Sequence, residues 1–185
     1  EILPNGNILA ICSETKTQSE ANLAGRQNIN GPMTLDMIIE IEPIGSSDAN
    51  IVWRWHFWDH LVQDINPFNL NYGVVSENPQ LLDINVESNG AGGNGGAGIT
   101  DWNHLNCISY NPIHQQIVIS SRHMNEFYVI DHSTSIEEAS SHTGGNYNEG
   151  GDFLYRWGNL NSYTDLNSQP LNAPHGVNWI PLEFP

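Results

Sequence analysis

Short apolar runs, rich in β-branched and aromatic residues, punctuate this chain and are separated by Asn, Gly and Pro. Runs of this length with partial alternation predict strands, because successive strand side chains point to opposite faces. They cover Ile8 to Cys12 after the Asn5-Gly6 turn, Leu35 to Glu42 with a stop at Pro43, and Ile51 to Phe57. Further runs are Leu105 to Tyr110, Gln116 to Ser121, Phe127 to Asp131, Phe153 to Trp157 and Gly176 to Ile180. Helix signals are short: Thr17-x-x-Glu20 and Thr134-x-x-Glu137 have capping-box spacing. Gly90 to Gly98 holds six glycines in nine residues and predicts a flexible loop.

Aligning the runs exposes a repeat. ILAIC, after Asn5-Gly6-Asn7, is echoed by IVIS after His114-Gln115-Gln116. Met37 to Pro43 (MIIEIEP) is echoed by Glu126 to His132 (EFYVIDH), and Val52-Trp53-Arg54-Trp55 by Leu154-Tyr155-Arg156-Trp157. The complete unit has four strands, a to d: Leu105–Tyr110, Gln116–Ser121, Phe127–Asp131 and Phe153–Trp157. Radially repeated four-stranded antiparallel sheets are propeller blades, so the predicted fold is all-β, a β-propeller, with a sandwich of two similar sheets as the alternative. On this reading the chain is part of one propeller domain. Residues 1–60 carry strands b to d of one blade, 61–102 an inter-blade loop, 103–158 one full blade, and 159–185 a loop and the first strand of the next. Both ends read as cut from a longer protein. Further blades, or partner chains in a homo-oligomer, are expected to protect the open edges.

The charge is lopsided: 21 Asp and Glu against five Lys and Arg in 185 residues, a formal net charge of −16. That excludes nucleic acid as a partner, since binding there needs a basic face, and it disfavours anionic membrane surfaces. No apolar run is long enough to span a membrane. Cys12 and Cys107 lack metal-ligand spacing and read as buried thiols, with a single disulfide as the alternative. The only cations are Lys16, Arg26, Arg54, Arg122 and Arg156, so each arginine needs a reason. Arg54 and Arg156, each between aromatics, read as stacked or paired structural groups. The Trp53–His60 aromatics read as core and blade packing, with the wall of a phenol-binding pocket as the alternative, and His132 reads as a helper of the short helix after strand c.

Chemistry concentrates elsewhere. Asp101-Trp102-Asn103-His104-Leu105-Asn106 leads into strand a, and Ser120-Ser121-Arg122-His123 ends strand b. Antiparallel neighbours bring these two segments to one end of the sheet. Pro174-His175-Gly176 precedes the next predicted strand a and falls at that same end. Imidazoles, an amide and one of five cations thus surround one opening. The planar arginine fork suits sulfate, phosphate or carboxylate, and a histidine beside it serves as nucleophile or general acid. A metal set of His104, His123 and His175 lacks any recognised spacing, so neither metal nor cofactor is expected.

LPNGNILAI, IVWRWHFWDHLVQD, NYGVV, DWNHLN, ISSRH, VIDHSTS, SHTGGN, GDFLYRWGN and HGVNWIP resemble, in order, segments of the bacterial arylsulfate sulfotransferases. The resemblance implies a six-bladed propeller, about two blades of it covered here, exported to the periplasm or secreted. It implies transfer of a sulfuryl group from an aryl sulfate to a phenol through a sulfated histidine, without a nucleotide sulfate donor. His175 matches the family's nucleophile, His104 and Asn106 the His-x-Asn that contacts the sulfuryl group, and Arg122 the sulfate-binding arginine. His123, beside Arg122, joins the predicted substrate-binding residues. Where the family commonly has Gln-His-Asp, this chain has Pro174-His175-Gly176. That change keeps a second reading in view, a non-catalytic extracellular propeller that binds anionic or sulfated ligands or serves assembly.

Overall fold

A hairpin opens the fold: Leu9 and Glu1 exchange backbone hydrogen bonds of 2.8 and 2.9 Å around the Pro4-Asn5-Gly6 turn. The structure, a computed structural model, describes residues 1–87, 98–164 and 166–180. Most of the glycine-rich loop prediction lies outside the described residues.

Two antiparallel sheets carry the fold. The first has the order β1 (Ile8–Lys16), β2 (Met33–Ile44), β3 (Asp48–His56). A small parallel pair, β4 (Leu61–Val62) with β5 (Leu82–Asp83), lies in the stretch expected to be only a loop. The second sheet is a four-stranded meander of β6 (Leu105–Asn111), β7 (Gln116–Ser121), β8 (Glu126–Asp131) and β9 (Phe153–Trp157). Its four strands match those predicted as a to d to within one residue at each end. Among the described residues the chain is therefore mostly β, with two short α-helices, α1 (Gln18–Leu23) and α2 (Ile136–Ala139).

Four expectations are corrected. β2 does not stop at Pro43 but runs to Ile44. β1 begins opposite Ile41, so beyond that point β2 pairs only with β3, and a proline without N–H is tolerated at the free edge. The second capping box is Ser135 with Glu138, not Thr134 with Glu137. Thr134 is unavailable because its buried hydroxyl accepts the indole N–H of Trp53 at 3.1 Å. Residues Gly176 to Ile180 form no ladder with β6. Side chains hold them instead: Cys107 Sγ donates to Val177 O at 3.2 Å, and Trp179 Nε1 donates to Ser109 O at 3.1 Å. The two cysteines are free thiols, half-buried rather than buried.

The core lies between the sheets. Leu9, Ile38, Trp53 and Trp55 of the first face Ile117, Ile119, Tyr128, Ile130 and Phe153 of the second. Trp55 anchors the junction by donating to Gly151 O at 2.7 Å. Arg156 enters this core with a bidentate pair to Glu126 (2.7 and 2.8 Å) and a stack on Tyr163 (4.1 Å), which bears out its structural reading. Repeat-equivalent residues are buried from opposite sides. Trp53 and Trp55 are buried while their counterparts Tyr155 and Trp157 are exposed. Phe153 and Arg156 are buried while Ile51 and Arg54 are exposed.

Candidate active site

The candidate site is the second sheet's end, where β6 starts and β7 stops. A bulge between Leu105 and Cys107 takes Asn106 out of the β6–β7 ladder. His104, just before β6, holds a left-handed backbone (φ 48°), uncommon for a residue with a side chain. The strained turn is fixed from both sides. Arg122 N donates to His104 O at 3.0 Å, and the buried Asn103 carbonyl accepts from Ser121 Oγ.

The predicted residues converge. The His104 ring lies 4.6 Å from that of His123 and 6.2 Å from that of His175, centroid to centroid. His104 Nδ1 donates to Asp101 Oδ2 at 2.6 Å, which leaves Nε2 free to face a substrate. His123 is buried and its tautomer follows from its neighbours. Its Nδ1 faces a carbonyl, Asp101 O, at 2.8 Å, so that nitrogen donates. Its Nε2 faces Arg122 Nη1 at 2.9 Å, so that nitrogen accepts. His123 is thus a neutral ring with both nitrogens occupied, and it orients the half-buried Arg122 rather than offering a nitrogen to a ligand. His175 is exposed.

Asn106 is also a positioning group. Its Nδ2 donates to Pro174 O at 2.7 Å while Ser120 Oγ donates to its Oδ1. With Asn125 Oδ1 accepting Ala173 N at 2.7 Å, it ties the His175 segment to the sheet. Left-handed Ala173 (φ 47°) and Gly176 (φ 96°) flank the segment and turn His175 outward.

Two carboxylates complete the site and were not among the predicted residues. Asp101 holds His104 through its side chain and His123 through its carbonyl. Asp36, on β2 of the first sheet, accepts the backbone N–H of Leu105 at 2.5 Å, and its own N–H donates to Asn103 Oδ1 at 2.8 Å. Burial pushes the Asp36 carboxyl above the ordinary carboxylate range, with the Asp101 charge adding to the rise and the Leu105 N–H opposing it. The donor atoms of Asp101, His104 and His123 lie within 4.8 Å of one another, but both His123 nitrogens are already engaged, by Asp101 O and by Arg122.

The family model described as Arylsulfotransferase (ASST) matches residues 1–144. The match takes in Asp36, Asp101, His104, Asn106, Arg122 and His123, and His175 lies beyond it. No curated protein and no solved structure matches the chain.

Proposed function

The chain belongs to the arylsulfotransferase family, and we propose that it moves a sulfuryl group from an aryl sulfate ester to a phenolic acceptor through a sulfohistidine. The observation that carries this reading is the convergence of His175, His104 and the His123-supported Arg122 at one end of the second sheet, in a chain with five cations. In the first half-reaction a ring nitrogen of His175 attacks sulfur. The N–S bond forms as the S–O bond to the aryl group breaks, and the departing phenolate takes a proton from His104. Asp101 steadies the His104 ring and the charge on it. Arg122 holds the sulfuryl oxygens, and Asn106 fixes the height of His175. In the second half-reaction the acceptor phenol gives its proton to His104 and its oxygen attacks sulfur. The N–S bond then breaks and His175 is restored. Positioning and charge stabilisation supply the rate, and no cofactor enters.

The packing of opposite faces supports a β-propeller of four-stranded blades. Rotating one sheet onto the next sets unlike faces together, whereas a two-fold sandwich sets like faces together. In this reading the channel end of the blades carries the site. The family resemblance supports export to the periplasm or secretion. No helix among the described residues is long and apolar enough to cross a membrane.

The test is turnover of an aryl sulfate with a phenol acceptor. Ping-pong kinetics and an acid-labile sulfate on His175, lost in His175→Ala, are expected. Unchanged turnover in His175→Ala would sink the nucleophile. Sulfate-ester binding abolished by Arg122→Ala, with no turnover by the unaltered protein, would instead establish the non-catalytic binding reading.

A further inference from the structure

A second histidine–carboxylate cluster lies where the turn after β3 meets the loop between β8 and β9. His60, in the 3-10 turn Phe57–His60, is fully buried, and Asp152 is nearly so. His60 Nδ1 lies 2.7 Å from Asp152 Oδ1, and His142 Nδ1 lies 2.8 Å from the same oxygen. His60 Nε2 lies 2.9 Å from Ala139 O. A carbonyl only accepts, so Nε2 carries a proton and Nδ1 turns toward the carboxylate. A neutral ring held this way presents a lone pair to a lone pair, and a cation has to lie between them. A second proton on His60, with His142 donating from Nδ1–H, satisfies these contacts as hydrogen bonds to the carboxylate. A divalent cation satisfies the two nitrogens and the oxygen together, and their donor atoms all lie within 4.8 Å of one another.

We infer that His60, Asp152 and His142 form a binding site for a first-row divalent cation of the zinc class, which pins the first sheet to the β8–β9 loop. Two imidazoles and a carboxylate are a donor set that zinc accepts, with water in the fourth position on the solvent side of His142. His60 is held as metal-binding histidines are, its other ring N–H on a backbone carbonyl. The ring is fixed in place: Trp55 stacks on it at 5.4 Å with 6° between planes. Gly151 lies so close that a Cβ there would sit 2.6 Å from His60 Nε2. Zinc bonds of about 2.0–2.1 Å set tetrahedral donors about 3.3 Å apart, so the present contacts open by about half an ångström. His142, with its side chain 59% exposed, supplies that movement for its own contact, and the contact to the fixed His60 ring opens by rotation of the Asp152 carboxylate. Positions 60, 142 and 152 form no short motif, and only the packing of the two sheets assembles them.

Zinc ions titrated calorimetrically into chelator-treated protein, with cobalt as a spectroscopic probe, test the site. The expected result is one zinc equivalent here, a tetrahedral cobalt spectrum, and a raised Tm under saturating zinc. His142→Ala, at an exposed position, lowers the affinity at least tenfold and removes the Tm shift, and Asp152→Asn does the same. His104→Ala, which disables the Asp101–His104–His123 trio, keeps this equivalent and the Tm shift. No zinc bound, binding unmoved by His142→Ala, or a Tm shift lost only in His104→Ala overturns the inference.

Discussion

Single residues show how far a linear pattern reaches. His104, Arg122 and His123 are legible because antiparallel neighbours must bring the start of β6 and the end of β7 together, whereas His175 reaches that end through Asn106 and Asn125 side chains and not through the strand predicted after it. Asp36 is not legible: it is an ordinary polar position of an alternating strand, and only the docking of two sheets carries it to Leu105. Its titration yields a prediction. A carboxyl whose pKa is raised on folding contributes fully to stability below its unfolded value, about 4. That contribution is lost as pH rises through the higher folded value. Asp36→Asn keeps an acceptor for Leu105 N–H, so stability relative to the unaltered protein is expected to grow from about pH 4 toward neutrality. Urea denaturation across a pH series reads this, and parallel curves would refute it. His132 works in the other direction. Burial holds its imidazole below the ordinary value, against the pull of Glu40 2.8 Å away. Its contribution is present above about pH 6.5 and is lost as pH falls through the depressed folded value. His132→Gln is therefore expected to soften acid unfolding, monitored by fluorescence of the adjacent Trp53.

At the scale of elements, alternation identifies strands well and frames poorly. The second capping box shows why. Thr134 and Ser135 offer the same hydroxyl chemistry, Glu137 and Glu138 the same carboxylate, and the choice is made by a tryptophan 81 residues away. Ser135→Ala is expected to cost about 1 kcal/mol through loss of the cap. Thr134→Val keeps the shape but leaves the Trp53 indole N–H without its acceptor, at a cost of about 1–3 kcal/mol. Chemical denaturation of the two variants separates the roles, and equal costs with an unchanged Trp53 environment would contradict the assignment. The misread strand at Gly176 to Ile180 has the same origin. Its sequence is strand-like, yet its contacts to β6 run through Cys107 and Trp179 side chains. The small β4–β5 pair, two residues on each side, is too short to leave a periodic signal.

On the whole-molecule scale the repeat is visible in the sequence, but the way its copies pack is not. Alignment makes Arg54 and Arg156 equivalents, and the structure gives them opposite environments. Arg156 is paired with Glu126 in the core, while Arg54 lines an open cleft of about 470 Å³ beside Lys16 and His56. The difference follows from geometry: the first sheet buries one face and the second sheet buries the other. Two unlike apolar faces therefore remain on the outside, one marked by Ile51 (56% exposed) and the other by Tyr155 (53% exposed). If they are built to meet, as in a ring of sheets, contact between copies is head-to-tail rather than like-to-like. The 185-residue chain is then expected to self-associate, and Ile51→Asp or Tyr155→Asp alone abolishes this, since either change spoils every unlike contact. An equimolar mixture of the two variants retains one intact face of each kind and forms a one-to-one heterodimer, visible by analytical ultracentrifugation. Like-to-like packing gives another outcome, because each variant would still dimerise through its undamaged face and mixing would add nothing. A heterodimer seen only in the mixture therefore distinguishes rotationally repeated sheets from a two-fold sandwich.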